Sequence, residues 1–434
     1  MTHGGWLSQK ESLTAPPPPA DLATYASPME SPVDPTVQIR GLNWAYVLMG
    51  VADGTLLPYI PLYLFERGLN PAWIGLVLAV AASASLAMGL GWAYLADRRF
   101  SPERMVVIAS AAAAAVALLL PVAGGAASVA VVIVALSLAR SPFMLLDPIA
   151  LRRLRVARRT DYARIRLRMS AGWAASAVGS GALFQAAGLQ LIPFVYAPLS
   201  ALVGLWVWYA LKPSGATQSA EPAPAAMKVR AVPVALLTFL LSCLLLGASL
   251  AATQNFLVLR ISVLGGGALL IGAAAAAQAV TEIPTMGYTH VLTRRISHRA
   301  LFAIGCGIYL VTFVAWAFTS DALVAAALKL VVGVAFALTL VAAVMMANDL
   351  APPHLRATGQ ALMKSVLFGL APIAGSVGGG LIYGALGPRT MFLVATVVVG
   401  AAGLIALVAI RPRERVSQPP DVPVLAPGAV TPRA

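Results

Sequence analysis

Long runs of this chain contain no Asp, Glu, Lys or Arg: Met105 to Ala139, Met169 to Leu211 and Ala231 to Leu259 are three of them. Each exceeds the ~18 predominantly apolar residues that a helix needs to cross the hydrocarbon core of a bilayer. A soluble domain carries roughly 25% charged residues, whereas here 11% are charged and 59% hydrophobic. These values argue against a water-soluble globule and for a polytopic membrane protein. Apolar segments fall near 43–65, 72–95, 104–123, 128–149, 170–187, 191–211, 231–257, 267–291, 300–319, 322–347, 361–386 and 389–410, numbered below as spans one to twelve. In lipid a segment must satisfy its own backbone hydrogen bonds, so each span is expected to be a helix, with internal Gly and Pro tolerated where neighbours pack. The expected fold is an all-α bundle of twelve transmembrane helices.

The chain has 30 Lys and Arg against 16 Asp and Glu. In a soluble protein that excess would suggest nucleic acid. Here the basic residues sit mostly in short loops between apolar segments, so the pattern sets membrane orientation and no nucleic-acid partner is expected. If both termini are cytoplasmic, the opposite side holds only Arg67, Arg260 and Arg389, and Arg140, Lys329 and Lys364 fall inside spans. The remaining basic residues gather on one side, which places both tails in the cytoplasm. Residues 1–40 contain a Pro run but neither a basic n-region nor a short apolar h-region with a cleavage site, so they read as a disordered tail and not a signal peptide. Residues 411–434 read the same way. Cys243 and Cys306 lie inside spans, where small buried thiols are expected and not a disulfide.

A repeat is faintly visible. After span two the chain reads Asp97-Arg98-Arg99-Phe100-Ser101-Pro102-Glu103-Arg104, and after span eight Thr293-Arg294-Arg295-Ile296-Ser297-His298-Arg299. Two homologous six-helix halves, 41–211 and 231–410, explain it, joined by a flexible Pro-, Ala- and Ser-rich cytoplasmic linker at 212–230. Parallel halves joined in this way are the plan of many secondary transporters, with the substrate site near mid-membrane between them.

From Gly41 to Arg411 the sequence resembles the major facilitator superfamily. Gly91-Trp92-Ala93-Tyr94-Leu95-Ala96-Asp97-Arg98-Arg99 resembles the superfamily's loop signature between helices two and three, and departs from it at Phe100-Ser101-Pro102-Glu103. Asp147-Pro148, the stretch from Asp161 to Trp173, Glu282-Ile283-Pro284 and the stretch from Leu355 to Leu362 are similar to the branch with lactose permease, nucleoside–proton symporters and phenylpropionate permease. The resemblance implies alternating access and, commonly in that branch, proton-coupled uptake across a bacterial cytoplasmic membrane. Relatives of this fold usually work as single chains, so a monomer is expected, with no cofactor and the proton gradient as energy source. Lactose permease has a His and a Glu three and six positions after a Lys in helix ten. Lys329 matches the Lys, but the later positions are Val332 and Ala335, so lactose-type coupling does not carry over intact.

Ionisable groups within a bilayer cost at least ~2.5–3.5 kcal/mol each on insertion scales, so they face a cavity, pair with one another, or both. The mid-span set is Asp53 in span one, Arg140 in span four, Glu282 in span eight and Lys329 in span ten. Two acids and two bases either form structural pairs holding the halves together or line a polar cavity where a carboxylate takes up a proton. Gln278, Glu282, Thr285 and Thr289 fall at i, i+4, i+7 and i+11, one face of a helix. That stripe faces water or a ligand, or else packs helices through hydrogen bonds. Asp53, with Pro58 and Pro61 following, is a second proton-carrier candidate on a helix whose hydrogen-bond ladder proline interrupts. Gln254 and Asn255 in span seven are candidates for substrate hydrogen bonding or for interhelical bonds. By resemblance, Asp97, Arg98, Asp147, Arg166 and Arg168 form a cytoplasmic charge network that closes the inward face, with Asp147 paired to an Arg of the following loop or of span five. The arginines also admit a purely topogenic role. Gly172, Gly179 and Gly181 in span five, and Gly369, Gly375, Gly378, Gly379 and Gly380 in span eleven, are spaced for close backbone contact.

The four histidines show no metal-site spacing, and no phosphate-binding GxxxxGK[ST] loop is present, so neither an enzyme nor an ATP-driven pump is expected. The expected function is proton-coupled import of a small organic solute, with sugar, nucleoside and aromatic acid all open. The rival is a proton-coupled exporter of amphipathic compounds, which a wide, aromatic-lined cavity would favour.

Overall fold

The computed structural model describes residues 35–98, 100–157, 162–212, 233–352 and 355–408. The tail before residue 35, the linker after Lys212 and the tail after residue 408 lie outside the described residues. Every regular element among those described is helical. Span one comprises α1 (Pro35–Leu56), a 3-10 turn (Leu57–Tyr59) and α2 (Ile60–Glu66). Spans two and three correspond to α3 (Pro71–Arg98) and α4 (Pro102–Ala117). Span four contains α5 (Ala126–Arg140), a 3-10 turn (Ser141–Leu145) and α6 (Leu146–Val156). Spans five to nine correspond to α7 (Tyr162–Ala187), α8 (Ile192–Ala210), α9 (Val234–Val263), α10 (Ala268–Arg295) and α11 (His298–Phe318). Span ten is α12 (Ala322–Ala327) with α13 (Lys329–Leu350). Span eleven is α14 (Arg356–Ser365), a π turn (Val366–Leu370) and the start of α15 (Ala371–Val408), whose remainder is span twelve.

Helix starts and stops follow local chemistry. Ser101 accepts the Arg104 N–H to cap α4, and Ser297 accepts the Ala300 N–H to cap α11. The two serines stand at matching positions of the repeat, and each starts a helix after a basic loop. The 3-10 turn between α1 and α2 falls at Pro58, which has no N–H to continue the ladder. Inside α15 the line breaks at Gly387, where φ is 83° and Pro388 follows. Only glycine adopts that conformation without strain, so α15 is two helices joined at a sharp turn.

Nine helical stretches among the described residues are long and apolar enough to cross a membrane. One of them, Arg356–Val408, is 53 residues long and contains the Gly387 turn. The stretches at α4 and α7 are not among the nine. α4 has 16 residues, and the 26 residues of α7 are rich in Ala, Gly and Ser.

Each half packs through small residues, because apolar side chains gain nothing from leaving lipid for a neighbouring helix and close van der Waals contact must hold the bundle together. In the first half α1 lies along α7 and α8, and in the second α9 lies along α15. A Cβ on Gly50 would sit 2.1 Å from the Met169 carbonyl oxygen, and one on Gly375 would sit 2.2 Å from that of Ala248. The expected halves meet through α7 on α10 and α3 on α15, spans five with eight and two with eleven. Gly272 approaches the Ala177 carbonyl oxygen, 2.1 Å from a built Cβ, and Gly75 approaches that of Ser376, 2.2 Å. Tyr59 donates its hydroxyl hydrogen to the same Ala177 carbonyl. These contacts lie toward the end carrying the Gly68, Gly188, Gly265 and Gly387 turns. Toward the other end, Gly91 of α3 meets nothing within 4 Å of a built Cβ, and Tyr288 of α10 is 68% exposed. Of the glycines expected to pack, Gly172, Gly181, Gly369, Gly375, Gly379 and Gly380 do so, while Gly179 and Gly378 have no neighbour within 4 Å.

Candidate functional site

A cavity of about 360 Å³ lies between the halves. Its wall is mostly apolar, with Leu57, Pro58 and Trp173 from the first half and Phe336 and Phe368 from the second. Four polar side chains from the second half break that surface: Gln254, Asn255, Gln278 and Lys329. Lys329 is 7% exposed. Its ammonium donates to the Oε1 atoms of Gln254 and Gln278, the latter at 2.7 Å, and Gln254 Nε2 donates to the same Gln278 oxygen at 3.3 Å. Asn255 Nδ2 donates to Ser376 Oγ at 3.0 Å. A buried cation normally requires a carboxylate; here two amide oxygens from α9 and α10 supply the negative ends of their dipoles. Lys329 stands at the start of α13, and α13 is drawn onto α10 by Gly333, whose built Cβ would sit 2.2 Å from the Gln278 carbonyl oxygen.

Glu282 lies one turn beyond Gln278 on α10, toward the less closed end, and does not line the cavity. It is within electrostatic range of Lys329 and Arg166, yet among the described residues no cation pairs with it. The polar stripe on α10 is therefore divided. Gln278 faces the cavity, whereas the Thr285 and Thr289 hydroxyls bond back to the Thr281 and Met286 carbonyls at 2.6 Å each.

Asp53 and Arg140 form an ion pair between α1 and the last residue of α5, with side-chain exposures of 7% and 13%. The pair stays within the first half, so it does not tie the halves together as a structural pairing across the interface would. Arg140 lies 5.9 Å from the ring centroids of both Phe143 and Tyr196. Its Nε–H has no hydrogen-bond acceptor among the described residues. It borders a second cavity of about 260 Å³ with Ser85, Ser137 and Ser141, and Leu57 borders both cavities. Asp53 lines neither.

Arg158 and Arg159 of the loop expected to pair with Asp147 lie outside the described residues, and among those described Asp147 makes a different contact. Asp147 accepts the Tyr46 hydroxyl hydrogen at 2.6 Å, because the first turn of α6 packs against the α1 face that carries Tyr46. Arg166 donates to Met169 Sδ and Arg168 to Asn43 Oδ1, both from exposed positions. Asp97 and Arg98 end α3, and their side chains lie outside the described set. The charge cluster that does form among the described residues centres on Glu103, 1% exposed in the first turn of α4. Arg152 and Arg153 each donate to its Oε1 at 2.9 Å, and Arg153 also donates to the Lys212 carbonyl at 2.8 Å. In the sequence these arginines read as loop charges. The signal available was an acid two residues after a helix-capping serine, opposite a tandem Arg pair. Trp173 and Tyr46 were likewise missed as site residues, since an aromatic in an apolar span carries no distinguishing local pattern.

The chain belongs to the MFS_1 like family, whose model matches residues 40–394. Among solved structures, the nucleoside transporter NupG superposes with a TM-score of 0.74 at 18% identity, over 87% of this chain and 100% of that one. The peptide transporter POT in complex with sulfate gives 0.69 at 13% identity, over 85% and 93%. A bacterial homolog to the human lysosomal transporter Spinster, inward-facing and unoccupied, gives 0.65 at 15% identity, over 87% and 97%. No curated protein matches the sequence. The fold is that of secondary transporters of the major facilitator superfamily, and the chain is a multi-pass membrane protein.

Proposed function

We propose that this chain moves a small organic solute across the cytoplasmic membrane by alternating access, as a proton-coupled symporter acting as a single chain. In this reading twelve spans cross the bilayer with both termini in the cytoplasm. The two parts of α15 supply separate crossings, and α4 and α7 supply those that length and hydropathy alone leave out. The closed end then faces outward and the cavity communicates with the cytoplasm. The observation that carries the proposal is the Lys329 cluster: an ammonium held by two amides on the wall of a cavity between the halves, with Glu282, a carboxylate that no cation among the described residues pairs with, close by. Amide partners can exchange for solute hydroxyl or carbonyl groups without separating an ion pair. Proton uptake at Glu282 changes the charge, and solute binding at Lys329 the polar contacts, of one region of the interface, so both bias the same rocking equilibrium. Arg140, with its unfilled donor, is a second polar contact for solute that reaches past Leu57, and Asp53 is the alternative proton carrier.

The cavity is within the ~300–1,000 Å³ of small-molecule sites. Because NupG is a nucleoside transporter with this fold, nucleosides are the first solutes to test, with sugars and aromatic acids beside them. The assay is external pH in a lightly buffered suspension of de-energised cells expressing the protein. Alkalinisation on adding one compound, absent in Glu282→Gln, is the expected result; Glu282→Gln is expected to retain downhill exchange while losing uphill accumulation. Unaltered accumulation in that variant removes the coupling role. The largely apolar wall, with Trp173, Phe336 and Phe368, favours the second reading, export of amphipathic compounds. Silence across the panel together with Glu282-dependent dye efflux would establish it.

A further inference from the structure

Away from the central cavity, α1 and α7 enclose a second kind of site. A groove of about 390 Å³ lies between them, with Arg40, Asn43 and Trp44 on one wall and Arg168 on the other, floored by Val47 and Gly172. It shares no residue with the central cavity. Arg40, Trp44 and Val47 follow one another at i, i+4 and i+7, a single face of α1. The face carrying Tyr46 and Asp53 is occupied by contacts to α5 and α6. Further along α1 the groove ends where Gly50 and Gly54 bring α7 into contact, while Arg40, Trp44 and Arg168 at its mouth are exposed, so it opens to the surroundings of the bundle.

Its depth in the bilayer is marked by neighbouring aromatics. Gly41 packs on Ala210, 3.0 Å from a built Cβ, and Trp206 Nε1 donates to the Gly41 carbonyl at 2.8 Å, so these ends of α1 and α8 are level. Trp44, Trp208 and Tyr209 at that level are 57%, 69% and 81% exposed. Exposed Trp and Tyr at one height on adjacent membrane helices mark the boundary between headgroups and hydrocarbon.

The chemistry of the groove is one-sided. Arg40 and Arg168 are exposed, Arg168 is fixed across the groove by its bond to Asn43, and Arg164 lies exposed one turn earlier on the same face. Among the described residues no Asp or Glu lines it. Guanidinium groups bind phosphate oxygens through paired N–H donors. Below them Val47 and Gly172 continue the groove as an apolar floor, with a built Gly172 Cβ 2.6 Å from the Val47 carbonyl. A cationic mouth at headgroup depth over an apolar floor matches a lipid phosphate followed by its acyl chain. The ammonium of a zwitterionic headgroup would find no carboxylate among the described residues here, so a net negative headgroup is preferred.

We propose that this groove binds one anionic phospholipid, with Arg40 and Arg168 on its phosphate and Trp44 against the glycerol and upper acyl chain. Assignment to the cytoplasmic leaflet rests on the orientation proposed above; the headgroup chemistry does not. The test measures binding of phosphatidylglycerol and of phosphatidylcholine to the purified full chain in detergent micelles by native mass spectrometry, where orientation and transport play no part. Wild-type protein is expected to retain phosphatidylglycerol preferentially. At about 5-fold per basic residue, Arg40→Gln with Arg168→Gln lowers that affinity about 30-fold, while Arg40→Lys with Arg168→Lys keeps most of it. An unchanged thermal midpoint without lipid shows that both variants are folded. Equal retention of the two lipids by wild-type protein overturns the proposal whatever the variants do. Undiminished phosphatidylglycerol binding by the folded Gln variant also overturns it, as does displacement of the lipid by millimolar inorganic phosphate, which would make this a site for free oxyanions.

Discussion

Asp53 and Arg140 were legible as rare charges inside apolar segments, but which charge each would meet was not, because the partners lie 87 residues apart in the chain. With both ends of the pair largely buried, replacing one leaves the other uncompensated at a cost of ~3–5 kcal/mol. Asp53→Asn is therefore expected to lower the thermal midpoint in detergent sharply, and Asp53→Leu with Arg140→Met to recover most of the loss. A double variant as unstable as the single one would show that Arg140 contributes through contacts other than the pair. Lys329 behaves differently, since its partners are neutral amides that survive its removal. Lys329→Met is expected to fold normally and to raise the substrate Kd about 10–100-fold, the loss of hydrogen bonds to a charged group worth ~1.5–3 kcal/mol. Equilibrium binding to the purified variant checks this, and an unchanged Kd would return Lys329 to a structural role.

Among the helices, the apolar segments predicted where each element lies because span length is set by bilayer thickness and requires no partner. The breaks inside them were less visible. Pro58 announced the turn between α1 and α2, whereas the π turn at Val366–Leu370 has no sequence signal, being a local accommodation to packing on α9 and α3. The packed glycines of α7 and α15 were predicted as sets, but only the fold distinguishes Gly181, against the Ala268 carbonyl, from Gly179, which meets nothing. Gly272 of α10 tests the closed end. A side chain there must displace the Ala177 backbone or separate the halves, so Gly272→Leu is expected to favour the state open at that end. In a background carrying Leu57→Cys at the cavity wall, the Leu variant should react several-fold faster with an impermeant maleimide added outside the cell. Cys243 and Cys306, 0% and 1% exposed, contribute little background. Equal labelling rates would place the site of closure elsewhere.

For the whole molecule, the asymmetric placement of Lys and Arg predicts orientation, and single cysteines test it. Gly124→Cys, between α4 and α5, is expected to label from outside intact cells, while Ser101→Cys, between α3 and α4, is expected to label only after permeabilisation; the reverse pattern would invert the topology and the direction of the open cavity with it. The sequence by itself determined that the chain is a helical membrane bundle, its approximate spans, and the short set of polar residues within them. Those properties come from the cost of placing charge and unpaired backbone in lipid, which acts on each segment separately. Only the tertiary structure decided that Asp53 takes Arg140, that Lys329 rests on two glutamines while no cation among the described residues pairs with Glu282, and that Tyr46 meets Asp147. Those choices depend on which faces of separate helices come together, and helix contact in a membrane is set by close packing of small side chains spread over the whole chain.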